Sequence, residues 1–492
     1  MDSLRLQNFR CIEDSGMIEL RSINFFVGPN SSGKSSFLKF FPLLKQSIGY
    51  RKKGIFLWNG TEVDFQDFST VVRNGTNSIN ISFTVHELNS LRSFRMQKDR
   101  IINSINVSFE IQNVEGQDLL KYMEFDFGER HIRCSFSNSN SVDILANNIT
   151  SHLLKDKVFT RDTTSLFPRL FFSNSGRIDG DYSFACMAKL RKIAQKYVVN
   201  TSVRNIFPLY SDITITKEEL RKRVEILWKV QLTDFEIEEI LSLATYYNIN
   251  NIIDTINVNM LQVAENTIYV GPLREATDRY YRYQNLAVDK IEADGSNLAM
   301  YLNNLTPDQI QHLNGWLEEL FKFQVGIEAS VGHVQILIKE QNKEMRNLVD
   351  SGFGYTQVLP ILVNIWKALY LDTDESKTMK KLKDEHLIVI EQPELHLHPR
   401  FQAWFAQMLV KVVNKSKQGK KDIRFIIETH SEMILNKIGE SVALSELDRN
   451  DAHVILFNAL GEDMNKYIEK AEYSEDGYLN NWPIGFFAEN VD

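Results

Sequence analysis

The stretch Phe25–Phe37, FFVGPNSSGKSSF, restricts the fold of this chain more than any other. Its spacing (Gly28, four residues, then Gly33-Lys34-Ser35) is the phosphate-loop pattern G-x-x-x-x-G-K-[ST]. An apolar run (Ile23, Phe25, Phe26, Val27) precedes it and reads as a buried strand. A helical pattern through Phe37, Leu38, Phe40, Phe41, Leu43 and Leu44 follows. The glycines allow a tight turn in which successive N–H groups face one anion, and the helix start adds its positive end. Lys34 is then expected to reach the β- and γ-phosphates, and the Ser35 hydroxyl to ligate Mg²⁺. Strand, loop and helix occur in the order a nucleoside triphosphate site requires.

Bulk properties narrow the remaining classes. At about 150 residues per domain, a 492-residue chain makes about three units. The formal net charge of -8 excludes a wholly basic nucleic-acid surface, though not a local basic groove. Cys11, Cys134 and Cys186 are far apart and form no C-x-x-C pair. That usage points to a reducing compartment and away from a disulfide framework or a cysteine zinc site. The opening residues MDSLRLQNFR carry no apolar signal core, and no apolar run reaches about 18 residues. The expectation is a cytoplasmic protein that does not engage a membrane.

Leu4–Leu20 reads as a hairpin of short strands leading into the phosphate-loop strand, with Arg10 either leaning on the nucleotide or solvated at a strand edge. Arg51-Lys52-Lys53 reads as a solvated loop. Gln66, in a polar turn, either senses Mg²⁺ and the γ-phosphate or only closes that turn. INISFTV, INVSFEIQNV and MEFDFGERHIRCSFS alternate apolar and polar residues, as half-buried antiparallel strands do. From about Thr150 to Glu265 the period becomes helical, with Thr216 and Glu219 as a capping box. Arg221, Lys222 and Arg223 read as wet helix faces.

NTIYVGPLREATDRYYRY returns to a strand, then interleaves Arg274, Arg279 and Arg282 with Tyr280, Tyr281 and Tyr283. This pattern either stacks on bases and clamps phosphate or forms structural ion pairs. GHVQILIKE is a strand, and DSGFGYTQVLPILVNIW is a glycine turn entering an apolar helix, a second candidate anion site that makes sense facing a nucleotide on another subunit. The acidic run Asp372–Glu375 reads as a solvated turn. In HLIVIEQPELHLHPR, the buried strand Leu387–Ile390 ends in Glu391, where a carboxylate holds Mg²⁺ through water. Glu394, His396 and His398 leave a zinc alternative open, which the phosphate-loop context makes unnecessary. RFIIETHSE is another buried strand, ending in Glu428-Thr429-His430, with His430 the candidate γ-phosphate contact. Asp451–Phe487 alternates like small strands expected to cover an edge or face of the core sheet.

Together GPNSSGKSS, SGFGYTQ, LIVIEQPELHLHP and FIIETHSE resemble, in order, the Walker A, signature, Walker B with D-loop, and H-loop motifs of ABC-type ATPases. With LRLQNFRCI, YVGPLRE and PELHLHP, the series is most similar to SMC-like, OLD-type ATPases of bacterial anti-phage systems, such as the ATPase subunits of Septu and PARIS. The resemblance spans roughly Met1–Asn74 and Ile268–Glu432 and implies an α/β head: a mixed core sheet flanked by helices, an antiparallel β-subdomain and a helical insertion. Residues 1–149 would form the first part of the head, 150–265 the insertion, 266–440 the second part, and 441–492 a β-rich extension.

By the same resemblance, Gly28, Asn30, Ser31, Gly33, Lys34, Ser35 and Ser36 would bind ATP phosphates and, through Ser35, Mg²⁺. Glu391 would stand in for the Walker B aspartate, and His430 would be the switch histidine. Gly352, Gly354, Thr356 and Gln357 would cap the γ-phosphate of a second copy, which implies a head-to-tail homodimer or a higher homo-oligomer. One position departs from the pattern: Gln392 stands where the family has a catalytic glutamate. An amide cannot accept a proton from water, and loss of a general base costs roughly 10²–10⁴-fold. Either Glu394 takes over or hydrolysis is slow. The implied function is an ATP-gated sensor or scaffold with a separate nuclease or toxin partner, because about 60 residues after His430 are too few for a Toprim nuclease. DNA or a phage protein is a candidate partner. The alternative is a DNA-repair or chromosome clamp acting directly on DNA. A transporter subunit is disfavoured by the more than 300 residues between phosphate loop and signature.

Overall fold

Inward-facing Ile79, Ile81, Phe83 and Val85 meet Ile105, Val107, Phe109 and Ile111 across one strand pair, each set spaced two residues apart and buried. That period builds a nine-stranded antiparallel sheet from Ser3–Phe9, Ile12–Asp14, Ile18–Glu19 and the strands between Ser78 and Thr150. The structure, a computed structural model, describes residues 1–89, 101–137, 142–146, 149–150, 157–160, 164–174, 177–198, 203–210, 215–272, 278–282, 288–330, 332–341, 343–371, 384–419, 421–457 and 468–482. The chain forms two compact units, Met1–Glu19 with Gln46–Ala264, and Leu20–Lys45 with Glu265–Asp492.

The first unit holds the antiparallel sheet. Its central hairpin, Ile101–Val114 with Gln117–Phe127, turns at Glu115 and Gly116, both at positive φ, the geometry that matches strand twist. The helical period expected from Thr150 onward begins later. Strands Lys157–Thr160, Arg169–Asn174 and Arg177–Asp181 intervene, and helices start at Tyr182. The long helix Asp234–Glu265 faces that region with Asn250 and Asn257. Each amide both accepts from and donates to one backbone position, Leu170 and Phe167 respectively, at 2.8–2.9 Å. Thr216 caps Lys217–Trp228 by accepting from the Glu219 N–H at 3.2 Å. In the basic triplet Arg51 and Lys53 are exposed, and the correction is Lys52. It is buried, and its ammonium donates to the Ser47 carbonyl at 2.7 Å and the Ser165 carbonyl at 3.3 Å, because an amine taken out of water must find acceptors in the protein.

The second unit is built on a seven-stranded sheet in the order Thr267–Val270, Asp384–Glu391, Lys421–Glu428, Ile23–Val27, Ala452–Phe457, Ile468–Tyr473, Leu479–Asn480. The first five run parallel and the last two antiparallel. Strands buried on both faces read as continuous apolar runs, as in Leu387–Ile390, Phe425–Ile427 and Phe25–Val27. The tail is a second correction in part. Ile468–Tyr473 and Leu479–Asn480 take up the edge of the sheet, but Ala452–Phe457 lies inside it beside Ile23–Val27 with all six residues buried. Its VILF run is apolar on both faces, and the His453 ring is paired with the Asn24 side chain at 2.7 Å. Helices Phe353–Tyr370, Pro399–Gln418 and Glu432–Ala443 pack their apolar sides into the same core. Among the described residues, no helix is long and apolar enough to cross a membrane.

Candidate functional site

Parallel strands deliver their carboxyl ends to one edge of a sheet, and in the second unit that edge collects the phosphate loop, Glu391 and Glu428. Gly28 begins the loop at φ +156°, and a Cβ there would lie 2.3 Å from the Phe457 carbonyl oxygen. Only glycine lets the loop start so close to the neighbouring strand. Ser31 and Gly33 also take positive φ, and Gly33 opens the helix Lys34–Leu38.

Lys34 is 3% exposed. Its ammonium donates to the Gly28 carbonyl at 2.8 Å and the Pro29 carbonyl at 2.7 Å, and lies 3.7 Å from a Glu428 oxygen. Burial pushes its pKa down, and the Glu428 charge acts in the opposite direction. Ser35 Oγ donates to the other Glu428 oxygen at 2.6 Å. On the next strand, Glu391, in register with Glu428, accepts from the Tyr269 hydroxyl at 2.8 Å. Both carboxylates are almost fully buried.

A brace joins the loops behind these strands. Gln392, at φ +47°, donates its N–H to the Glu428 carbonyl at 2.8 Å. Glu394 accepts from the Thr429 hydroxyl at 2.8 Å and from the His430 N–H at 2.7 Å, one bond to each oxygen. Thr429 N–H donates to the Phe26 carbonyl at 3.2 Å, tying the brace to the phosphate-loop strand. The His430 Nε2 is a buried atom with no hydrogen-bond partner among the described residues.

This donor set fits a nucleoside triphosphate with Mg²⁺: an ammonium and a hydroxyl at the phosphate loop, two buried carboxylates beside them, and an imidazole nitrogen still to be satisfied. Lys34 and His430 would hold phosphate, and Ser35 with the carboxylates would hold the cation.

Other expected site residues lie on the helix Phe353–Tyr370 or in the first unit. Gly352 is exposed at φ +99° and opens the helix Phe353–Tyr370, which has no side-chain cap; Gly354 follows, and Thr356 and Gln357 are buried in the first turns. Gln66 belongs to the first unit, exposed in a turn whose N–H donates to Asp64 at 2.7 Å. Arg10, also in that unit, lies over the Phe65 ring with 5.4 Å to its centroid. Arg279 forms a two-bond ion pair with Asp350 at 2.6 and 2.9 Å, the structural option for that basic stretch. Arg274, Tyr283 and the run Asp372–Glu375 lie outside the described residues. His398 Nδ1 accepts from the Arg400 N–H at 3.2 Å as a helix cap, and among the described residues no group of three or more His, Cys, Asp or Glu is arranged to hold a metal ion.

Sequence reasoning assigned no role to Glu428, although it touches both Lys34 and Ser35. A signal for it exists: FIIE closes an apolar strand with an acid just as LIVIE does at Glu391.

A family model described as "AAA ATPase domain" matches residues 1–435. No curated protein matches the chain. Among solved structures, the Pyrococcus furiosus Smc head domain with an extended coiled coil, bound to the C-terminal domain of ScpA, is 10% identical. The match covers 96% of each chain at a TM-score of 0.34. The Thermotoga maritima SMC head domain is 10% identical over 96% of this chain and 98% of that one, at 0.35. The recombination mediator RecF of the RecFOR pathway is 11% identical over 92% and 95%, at 0.30. Likenesses at these scores add nothing to the strand order itself.

Proposed function

Because this chain belongs to the AAA ATPase domain family and is an ATPase, we propose that it works as an SMC-like switch in which two copies close head to tail over ATP and Mg²⁺. The phosphate loop of one copy holds the triphosphate, and the Gly352–Gly354 turn of the other caps it. The observation carrying this reading is the exposed start of the helix Phe353–Tyr370, whose first N–H groups have no side-chain cap. Such donors suit a γ-phosphate presented by a second copy.

Turnover in this reading is slow. Gln392 stands at the general-base position, and Glu394 is engaged through both oxygens with Thr429 and His430. A carboxylate braced in this way is poorly placed to accept a proton from water. Glu394→Gln, which loses an acceptor, is then expected to loosen the His430 loop rather than to remove a base. ATP therefore acts chiefly by holding the closed pair. We place the protein in the cytoplasm as the sensor or scaffold of an anti-phage complex, governing a separate nuclease or toxin, with DNA or a phage protein as a further partner. The motif series supports that placement.

Molar mass by light scattering, with and without MgATP, tests the switch. The expected result is an ATP-dependent doubling that Gly354→Asp abolishes, with kcat below about 10 s⁻¹, a median value for enzymes. A Cβ at Gly354 would make only ordinary contacts, 3.5 Å to Leu397 and 3.6 Å to the His396 carbonyl, so that variant probes closure rather than folding. A single copy that hydrolyses ATP equally well with Gly354→Asp would overturn the reading. ATP-dependent DNA binding with a steep salt slope and no effector encoded alongside would instead favour a clamp acting on DNA.

A further inference from the structure

Among the described residues, both polar partners of the Glu428 side chain are groups that a bound nucleotide would recruit. Ser35 Oγ, 2.6 Å from one oxygen, is the hydroxyl that would ligate Mg²⁺, and the Lys34 ammonium, 3.7 Å from the other, is the cation that would meet the phosphates. Glu428 is itself 3% exposed. Once those partners turn to the nucleotide, a buried carboxylate is left facing phosphate charge, a costly arrangement unless a cation moves in beside it. Glu391 is placed differently. Its strand is one position farther from the phosphate-loop strand, and it has the Tyr269 hydroxyl at 2.8 Å as an anchor outside the loop.

We propose that Glu428 is the protein carboxylate that holds Mg²⁺ with Ser35, and that its charge makes the site select MgATP over metal-free ATP. This rests on the ATP-binding reading above. Mg²⁺ keeps most of its water and needs only one or two carboxylates beside the phosphates, which matches a site with two acids and one hydroxyl. Glu391, carried over from the motif series as the metal acid, then orients water in the outer shell.

The test measures the affinity of a fluorescent ATP analogue for the full chain, once with Mg²⁺ and once with EDTA. The proteins are wild type, Glu428→Gln and Glu391→Gln, and circular dichroism checks each fold. Glutamine can still accept from Ser35 but carries no charge. For Glu428→Gln the expected result is metal-free binding as tight as wild type or tighter, and binding with Mg²⁺ weaker by about 10-fold or more. Glu391→Gln should keep most of the wild-type ratio. Electron paramagnetic resonance of Mn²⁺ with ATP should show the same order.

Equal weakening in both conditions would make Glu428 a structural brace and overturn the proposal. So would an unchanged ratio in Glu428→Gln, or the expected pattern appearing in Glu391→Gln instead. If the glutamine variant does not fold, Glu428→Asp, which keeps the charge but withdraws it by one methylene, should give an intermediate ratio; a wild-type ratio there overturns the assignment. Wild type that binds nucleotide in neither condition would sink the ATP reading itself, a separate outcome.

Discussion

The two units solve the same burial problem with opposite strand directions, and only one of them gathers chemistry. In the first, antiparallel strands send successive ends to opposite edges, so no row of like strand ends forms. Its buried polar groups serve packing, as Asn250 does against the backbone, and as Arg130 does in donating to Thr245 and the Ile215 carbonyl. In the second, five parallel strands bring their carboxyl ends to one edge, and there Lys34, Ser35, Glu391 and Glu428 lie. Strand direction separates the two units.

Three substitutions test that division. Lys34→Ala should have the largest effect, lowering kcat/KM roughly 10³-fold, with little loss of stability because its ammonium bonds only loop carbonyls and one carboxylate. Steady-state ATPase rates and a urea midpoint read the two effects separately, and a large stability loss would blur the comparison. Gly28→Ala comes next and crosses the division. Its Cβ meets the Phe457 carbonyl at 2.3 Å, so we expect about 3 kcal/mol of destabilisation together with weakened ATP binding. Urea unfolding and nucleotide titration check it.

The smallest effect belongs to the first unit. Arg130→Met should cost about 1–3 kcal/mol by leaving the Ile215 carbonyl unpaired, with ATP affinity unchanged. A loss of affinity in that variant would show that the first unit takes part in the nucleotide site and would break the comparison.

Much of the second unit could be read without the structure. The apolar runs at Phe25–Val27, Leu387–Ile390 and Phe425–Ile427 announce two-sided burial, and each ends where a chemical residue begins. The strands after Thr150 were missed because short segments such as Lys157–Thr160 and Arg169–Asn174 are too brief to show a period, and partner strands decide their state. Alternation in the tail suggested a cover, yet Ala452–Phe457 became an internal strand because the phosphate-loop strand had an open side to pair with. Lys52 looked like part of a wet loop, since a charge run does not reveal that two carbonyls await one ammonium.

The amino-acid order by itself determined the phosphate loop, because a glycine turn between an apolar strand and a helix is a local matter that nearby residues settle. It also determined the glutamine at position 392, on which the proposal of slow turnover rests. Only the tertiary structure decided which acid stands beside Ser35. Glu428 is 393 residues away along the chain, and it arrives there because its strand pairs directly with the phosphate-loop strand while that of Glu391 pairs one place farther out. Strand order in a sheet is set by which faces and edges can be buried together, and no short window of sequence carries that information.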